Sequence, residues 1–426
     1  MRTFRLAAIV LVVAGTLSAC GGLGPPVDEV VVRDETVVLD AAARTMLTES
    51  REDGTLVFTS AGGTPLPAID VGSVLVSEPS TAAPDGLLRR ATAVDDSVPG
   101  VLTVTTEQAT FGEAIQKGSM SAEFSITAND PGEFTPAIEG VALAVPMQES
   151  GTAAAAGLGS TALEDGIGLT FDTIIYDGDG DKDTKHDQVK ALGEIRLKPV
   201  IKVDLDLDCQ GFLCLDSDID FMFKVGVEEV ARIGLTGKGV LGLNIKQTIT
   251  LGTYKGAPKT FFIGPVPVVI TPKLVIELRF DGSVGVTVSY EVSQTLTAVL
   301  GAKYDDEWSN LSELDNEFNV GPVQTDSPIS AVVDGKAKGA LRGELMFYGI
   351  VGPTLEIVPW VGLDLRYPRD PVWKLNAGLE GNVGVRIDVL GYTKAWDSQL
   401  FDFNAEVAQS VNSAPVVSFL SGPVQE

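Results

Sequence analysis

Apolar and polar residues alternate along most of the chain after residue 168. Between residues 195 and 208 the odd positions are mostly aliphatic, and the even positions are mostly lysine, arginine or aspartate. This period of two predicts a strand with one buried and one solvated face. The alternation recurs from Leu274 to Phe280 and from Val284 to Tyr290, with Asp281 and Gly282 between them. The sequence therefore predicts a hairpin here, in which Phe280 faces Val284.

Earlier residues carry shorter strand-like runs together with two helical segments, for which Asp40 and Thr110 are the expected N-caps. The predicted fold is therefore mainly β: a large antiparallel sheet preceded by a small α+β domain. Glycines within the later strands are compatible with a curled or barrel-like sheet. The expected segments are a signal peptide (1–19), a lipid-anchored tether (20–29), the small α+β domain (30–128), a linker or irregular crossover (129–168), the antiparallel β domain (169–410) and a tail (411–426).

The charge of the chain narrows the range of partners. The 58 acidic and 31 basic residues give a formal net charge of -27, which disfavours binding to nucleic acid and to anionic lipid headgroups. The apolar content of 44% is that of a folded protein. Cations and basic partners are favoured instead.

The first twenty residues have the layout of an export signal. Arg2 and Arg5 precede an apolar run from Leu6 to Leu17, which is too short to span a bilayer, and small residues then lead to Cys20. The sequence "LSAC" resembles the lipobox of bacterial lipoproteins. That resemblance covers the signal alone, and it implies cleavage before Cys20, attachment of a diacylglycerol to its sulfur, and an extracytoplasmic protein held to a membrane on the cell-surface or periplasmic side.

The stretch "DLDLDCQGFLCLDSDID" predicts a second hairpin with an acidic outer face. In both strands the apolar residues are at odd-numbered positions and the aspartates are at even-numbered positions. Any register that pairs the two apolar faces therefore also places aspartates opposite one another. In the central register, which places Asp206 opposite Asp218, three pairs of aspartates face one another. The next matching register on either side still leaves at least two such pairs. The candidate residues are Asp204, Asp206 and Asp208 on one strand and Asp216, Asp218 and Asp220 on the other. Like charges across a ladder are destabilising, so solvent and salt, nearby lysines such as Lys202 and Lys224, or a bound cation such as calcium must offset them.

Cys209 and Cys214 lie at the tip of this hairpin. In an exported protein they are expected to form a disulfide. One cysteine is at an odd position and the other at an even position, so they cannot be directly opposite each other in a register that matches the apolar faces. The disulfide is therefore expected to close the loop with a bulge. A zinc site would need further cysteine or clustered histidine ligands, which the sequence lacks.

An acidic loop, "YDGDGDKDTKHD", is the clearest candidate metal site. Its alternating aspartates resemble the first half of an EF-hand calcium loop, but Lys182 stands at the glycine position and Gln188 at the glutamate position. The flanking residues are strand-like, so the sequence indicates a calcium loop between strands or, alternatively, a solvated acidic turn. The candidate ligands are Asp177, Asp179, Asp181, Asp183 and Asp187.

The sequence gives no positive indication of an enzyme. Its one histidine, His186, lies within the acidic loop. No nucleotide-binding or nucleophile-elbow motif stands between a predicted strand and a predicted helix, where such a motif would function. We therefore expect a lipid-anchored, calcium-stabilised β-rich surface protein that acts as a structural or binding scaffold, with a cell-surface component as partner. The alternative is a carrier for a lipid or another hydrophobic ligand in a cavity of the curled sheet.

Overall fold

A computed structural model describes most of the chain as β-strands in three sheets. It describes residues 30–60, 63–127, 130–144, 166–183, 188–210, 216–237, 243–284, 288–305, 307–320, 324–325, 332–366, 371, 373–386, 395–411, 414–417 and 420–421. The predicted class, mainly β with large-scale antiparallel pairing, is confirmed, but the strands form two large sheets rather than the one expected. Over the described residues each large sheet is open rather than closed on itself.

The N-terminal unit is a six-stranded sheet with one short helix, α1 (Ala41–Met46). Its strands are β2 (Thr36–Val38), β3 (Leu47–Ser50), β4 (Thr55–Thr59), β5 (Val74–Ser77), β6 (Leu87–Asp95) and β7 (Val101–Gln108). Asp40 caps α1, since its carboxylate accepts a hydrogen bond of 2.8 Å from the N–H of Ala43. Both predicted N-caps are confirmed: Thr110 begins α2 (Phe111–Ala114) with a capping box to Glu113.

The first large sheet has eleven strands. They are β1 (Val31–Val32), β8 (Ile115–Ser125), β10 (Val141–Ala144), β11 (Ile167–Asp177), β12 (Gln188–Gln210), β13 (Asp216–Gly237), β17 (Val288–Asp305), β18 (Glu307–Asn310), β19 (Glu313–Val320), β20 (Gln324–Thr325) and β26 (Leu420–Ser421). β12 and β13 pair along their whole lengths as the predicted second hairpin. On its other side β12 pairs first with β11 and then with β8.

The second large sheet has nine strands. They are β9 (Gly132–Pro136), β14 (Leu243–Gly256), β15 (Lys259–Ile263), β16 (Val266–Val284), β21 (Val332–Phe347), β22 (Ile350–Arg366), β23 (Trp373–Arg386), β24 (Ala395–Val411) and β25 (Ala414–Val417). β21 lies between β16 and β22, and β23 and β24 continue the sheet beyond β22.

The inward faces of the two large sheets form one apolar core. The alternation in the sequence identifies this face correctly, because the isoleucines, leucines and valine at odd positions of β12 between 195 and 207 are all at most 3% exposed. Phe221 and Phe223 of β13 join them, and Leu341 and Leu355 pack from the opposite sheet. Burial of these long aliphatic faces is the main force that holds the two sheets together.

The N-terminal unit packs directly on the large body. Phe111 of α2 is fully buried, and its ring lies 6.1 Å from that of Phe347 and 5.6 Å from that of Tyr348. Tyr348 and Gly349 both have positive φ and form the tight turn between β21 and β22. Asp85 also pairs with Lys255 at 3.1 Å. One face of the small sheet is therefore continuous with the core of the body.

The hairpin predicted at residues 274–290 is wrong. β16 continues through Asp281 and Gly282 to Val284, with Phe280 opposite Ala337 and Gln247. β17 then begins in the other large sheet, beside β13. Two facing sheets bury the same alternating face, so parity cannot distinguish a hairpin from a crossing between sheets.

Candidate functional site

The acidic loop joins β11 to β12, in the strand-to-strand position that the sequence predicts. Asp179, Asp181 and Asp183 are exposed, whereas Asp177, at the end of β11, is half-buried. The loop winds tightly because Asp179 Oδ1 accepts a hydrogen bond of 2.8 Å from the N–H of Asp181, and Asp181 Oδ1 accepts one of 3.0 Å from the N–H of Asp183. Asp187 and His186 lie outside the described residues.

Asp177 is the electrostatically unusual member of this loop. Its Oδ1 atom is shielded from solvent and accepts no hydrogen bond from the residues that the structure describes, while Oδ2 is 3.4 Å from Nε2 of Gln188. The same amide nitrogen donates to the carbonyl oxygen of Lys182 at 2.9 Å, which closes the loop. A shielded carboxylate oxygen without a donor is costly unless a cation or a proton satisfies it.

The acidic ladder consists of Asp204, Asp206 and Asp208, which lie on the outer face of β12, and of Asp216, Asp218 and Asp220 along β13. Its register is one step away from the central one: Asp206 is opposite Asp220, Asp208 is opposite Asp218, and Asp204 is opposite Met222. At least two like-charged pairs therefore remain, as the sequence predicts for every allowed register. Asp220 is also opposite Asp305 of β17 in register.

Neighbouring cations offset part of this negative charge. Lys117 of β8 lies 3.1 Å from Asp208, and Lys202 lies 3.4 Å from Asp204. Ser121 donates a hydrogen bond of 2.5 Å to Asp204. Lys202 is one of the lysines expected from the sequence, but Lys117 was not foreseen, because its place beside Asp208 depends on the pairing of β8 with β12.

An outer-face cluster that sequence reasoning missed lies on the nine-stranded sheet. Glu380 pairs with Lys338 at 2.7 Å and with Lys336 at 3.3 Å, and Lys336 lies 3.4 Å above the ring of Trp360. Burial would raise the pKa of Glu380, but the hydrogen bonds and charges of the two lysines outweigh it and lower that pKa. Burial, together with the charge of Lys338, lowers the pKa of Lys336. The charged side chains of Glu380, Lys336 and Lys338 satisfy one another, so the cluster is structural.

An apolar cavity of about 60 Å³ lies between the two large sheets. The eleven-stranded sheet contributes side chains of β12 and β13, and the nine-stranded sheet contributes side chains of β16, β21 and β22: among these are Leu197, Ile201, Phe223, Leu341, Leu355 and Ile357. This volume is several times what one water needs, but the lining offers almost no hydrogen-bonding groups.

Two prolines border the cavity at places where strand pairing changes. Beside Pro199, the neighbour of β12 switches from β11, whose pairing reaches Leu197, to β8, whose pairing begins at Val200. Beside Pro272, the neighbour of β16 switches from β14 to β15. Proline lacks an N–H, so a strand tolerates it at a position where an N–H would have no partner in the neighbouring strand. Prolines within alternating runs are therefore the sequence signal that could have indicated where the neighbouring strand changes.

Several predicted sites fall outside what the structure describes. Cys20 and Cys214 are not among the described residues. The backbone of Cys209 is described and lies opposite Ser217, so the two cysteines are not ladder partners. Among the described residues, no group of three or more His, Cys, Asp or Glu side chains is arranged to hold a metal ion. Within the same residues, none of the helices has the length and apolar character needed to cross a bilayer.

Comparison of the chain with family models, with curated proteins and with solved structures finds no match.

Proposed function

We propose that this protein is a lipid-anchored, extracytoplasmic β scaffold that calcium stabilises and that contacts another surface component. The proposal rests on the acidic loop between β11 and β12. There, a shielded oxygen of Asp177 has no donor among the described residues and lies in a loop with three further aspartates. A calcium ion takes six to eight oxygen ligands and is the hard cation expected outside a cell.

The chemistry of the loop suits such an ion. Asp177 would supply Oδ1, and Asp179, Asp181 and Asp183 follow at alternate positions, with Asp187 completing the carboxylate set expected from the sequence. Gln188, at the glutamate position, holds the loop closed through the Lys182 carbonyl. Because an amide replaces the bidentate carboxylate, we expect affinity in the range of extracellular calcium sites, roughly 10⁻⁴ to 10⁻³ M.

The acidic ladder is the second candidate cation site. Lys117 and Lys202 pair with Asp208 and Asp204, and Asp206 lies opposite Asp220 in the same ladder. We expect weaker and more salt-sensitive binding there than in the loop, since exposed charges are screened by ions.

The described chain begins at the surface of the large body, so the tether would end there. Val30, the first described residue, packs against the core of the large body, and a Cβ atom at Gly264 would approach it closely. Anchorage at Cys20, proposed from the lipobox resemblance, would thus reach the body through a tether of about ten residues. Because the outer faces of the sheets carry ion pairs, they are suited to polar contacts with a partner.

Thermal unfolding of the mature chain in millimolar calcium and in chelator tests the calcium part. We expect wild type to melt at a higher temperature in calcium, because an ion that binds only the folded state stabilises it. The variant Asp177→Asn should lose this difference, yet in chelator it should be at least as stable as wild type, since it no longer shields an unpaired charge. The control Asp281→Asn changes an exposed carboxylate that lies 4.0 Å from Lys246, and it should retain the calcium response.

Membrane fractionation of the full chain tests the anchor. Wild type should sediment with membranes and be released by detergent, and Cys20→Ala should abolish its lipid modification. A calcium response that survives in Asp177→Asn would contradict the loop assignment, and wild-type protein without a lipid-sized mass at residue 20 would contradict the anchor.

A further inference from the structure

We propose that the large body stands with one end at the membrane and the other end pointing away from it. The anchored end carries the N-terminal unit and the acidic ladder, and the distal end carries the loop between β11 and β12. This inference rests on the anchor at Cys20 in the proposed function, and it does not depend on calcium. It makes the distal end the part of the scaffold that meets a partner.

The first described residues lie at one end of both large sheets. The side chain of Val30 covers Gly264, in the turn between β15 and β16, where an added Cβ atom would lie 2.7 Å from it. Val31 is opposite Lys117 in register, and Lys117 pairs in turn with Asp208 near the end of β12. The tether therefore leaves the body where β16 begins and β12 ends.

Both of these strands run the length of the body. β12 has 23 residues and β16 has 19, so each is roughly 60–75 Å long. The lining of the cavity shows how they align, because it brings Leu197–Ile201 of β12 against Pro272–Leu274 of β16. The start of β12 and the end of β16 therefore lie on the same side of the cavity. Gln188 and Val284 are thus at the distal end, roughly 60 Å along the strands from Val30.

The tether is short compared with the body, and the charge of the body opposes contact along its length. The ten residues 20–29 reach at most about 35 Å when fully extended. A formal net charge of -27 disfavours laying a long face on anionic headgroups. On the outer face of β12, the exposed Leu192 and Val200 are about 26 Å apart along the strand, so they form no continuous apolar patch. The body therefore extends away from the membrane.

This orientation determines what the distal end can contact. The exposed carboxylates of Asp179, Asp181 and Asp183 lie there, farther from Val30 than the tether can reach. Headgroups of the anchoring membrane are therefore excluded as partners of this end. A component that binds the distal end lies outside that membrane.

Energy transfer to the membrane surface tests the orientation. A fluorescent coumarin amino acid replaces either Phe262, which is exposed in β15 at the anchored end, or Asp281, which is exposed near the distal end of β16. The lipidated protein is incorporated, in chelator, into phosphatidylcholine and phosphatidylglycerol vesicles that carry an NBD-labelled headgroup as acceptor. We expect transfer from position 262 to be at least about twofold more efficient, because the two positions are roughly 45 Å apart along the sheet.

A second preparation separates failure of this inference from failure of the proposed anchor. The chain from Cys20 onward, with Cys209→Ser and Cys214→Ser, is coupled through Cys20 to a maleimide phospholipid, and circular dichroism verifies its fold. More efficient transfer from position 262 in this chain supports the orientation whatever the state of natural lipidation. Equal transfer from the two positions, or more efficient transfer from position 281, overturns it. Natural protein without a lipid-sized mass at residue 20 overturns the anchor instead.

Discussion

Glycines within the later strands have different roles that only the structure separates. Gly378 is opposite Trp360, and Gly381 is opposite Phe401, so each glycine makes room for an aromatic ring from the neighbouring strand. The sequence interpretation of such glycines as bends is therefore incomplete, since an aromatic ring covering a strand glycine is another reason for its presence. Gly343 has no such ring and faces the cavity instead.

Replacing Gly378 tests this distinction. A Cβ atom there would overlap the Trp360 ring and the carbonyl oxygen of Phe403, so Gly378→Ala should lower the free energy of unfolding by about 1–3 kcal/mol. The matched change Gly343→Ala meets no close atom and should leave stability unchanged or raise it by about 0.5–1 kcal/mol. Denaturant unfolding measures both, and equal losses in the two variants would contradict the assignment.

Strand elements were predictable where alternation is long, but only some of their partners were. The buried face of β12 and its pairing with β13 follow from the sequence, because parity fixes which side of each strand is apolar. The sequence could not show that β16 and β17 belong to different sheets, since strands of two facing sheets alternate between apolar and polar residues in the same way. The same limit applies to the cavity, which depends on which strands face one another, and to Lys117, whose neighbour is on a distant strand.

Short connections between elements are fixed by local polar contacts, of which Asp130 is an example. Asp130 accepts hydrogen bonds from Lys259 Nζ at 2.8 Å and from the N–H of Thr127 at 2.8 Å, and so links the end of β8 to β15. The hydrogen bond from Lys259 is the main cause that lowers the pKa of Asp130; burial opposes it, and Thr127 adds to the lowering.

This lowered pKa predicts a pH dependence. Since the folded pKa of Asp130 lies below the unfolded value, its contribution to stability is fully present above the unfolded pKa, about 3.9, and is lost as the pH falls through the folded pKa. Asp130→Asn should cost about 1–2 kcal/mol at neutral pH and show a smaller loss of stability on acidification than wild type. Urea unfolding from pH 6 down to the acid limit measures this, with Asp281→Asn as an exposed control. Parallel curves for wild type and Asp130→Asn would contradict the prediction.

At the scale of the whole molecule, the N-terminal unit and the large body share a core. Val76 and Leu88 of the small sheet belong to the same apolar cluster as Val268 and Phe347 of the nine-stranded sheet. The small sheet is therefore joined to the large body by a buried apolar contact. We expect the two parts to unfold together, because separating them exposes this surface to water.

Phe111 is the residue that tests this coupling. Its ring is fully buried against Phe347 and Tyr348, so Phe111→Ala should destabilise the protein by about 3–5 kcal/mol and resolve the unfolding into two transitions. Phe262→Ala removes a ring that is 54% exposed and should change stability by no more than about 0.5 kcal/mol. Calorimetry of both variants measures the effect; two well-separated transitions in wild type would show that the parts are not coupled.

Equilibrium dialysis of the mature chain against radioactive calcium is the most direct test of the proposed function. We predict saturable binding at millimolar calcium, with one ion lost from the stoichiometry in Asp177→Asn and none lost in Asp281→Asn. Wild-type protein that retains no calcium above the dialysis buffer at these concentrations would contradict the account.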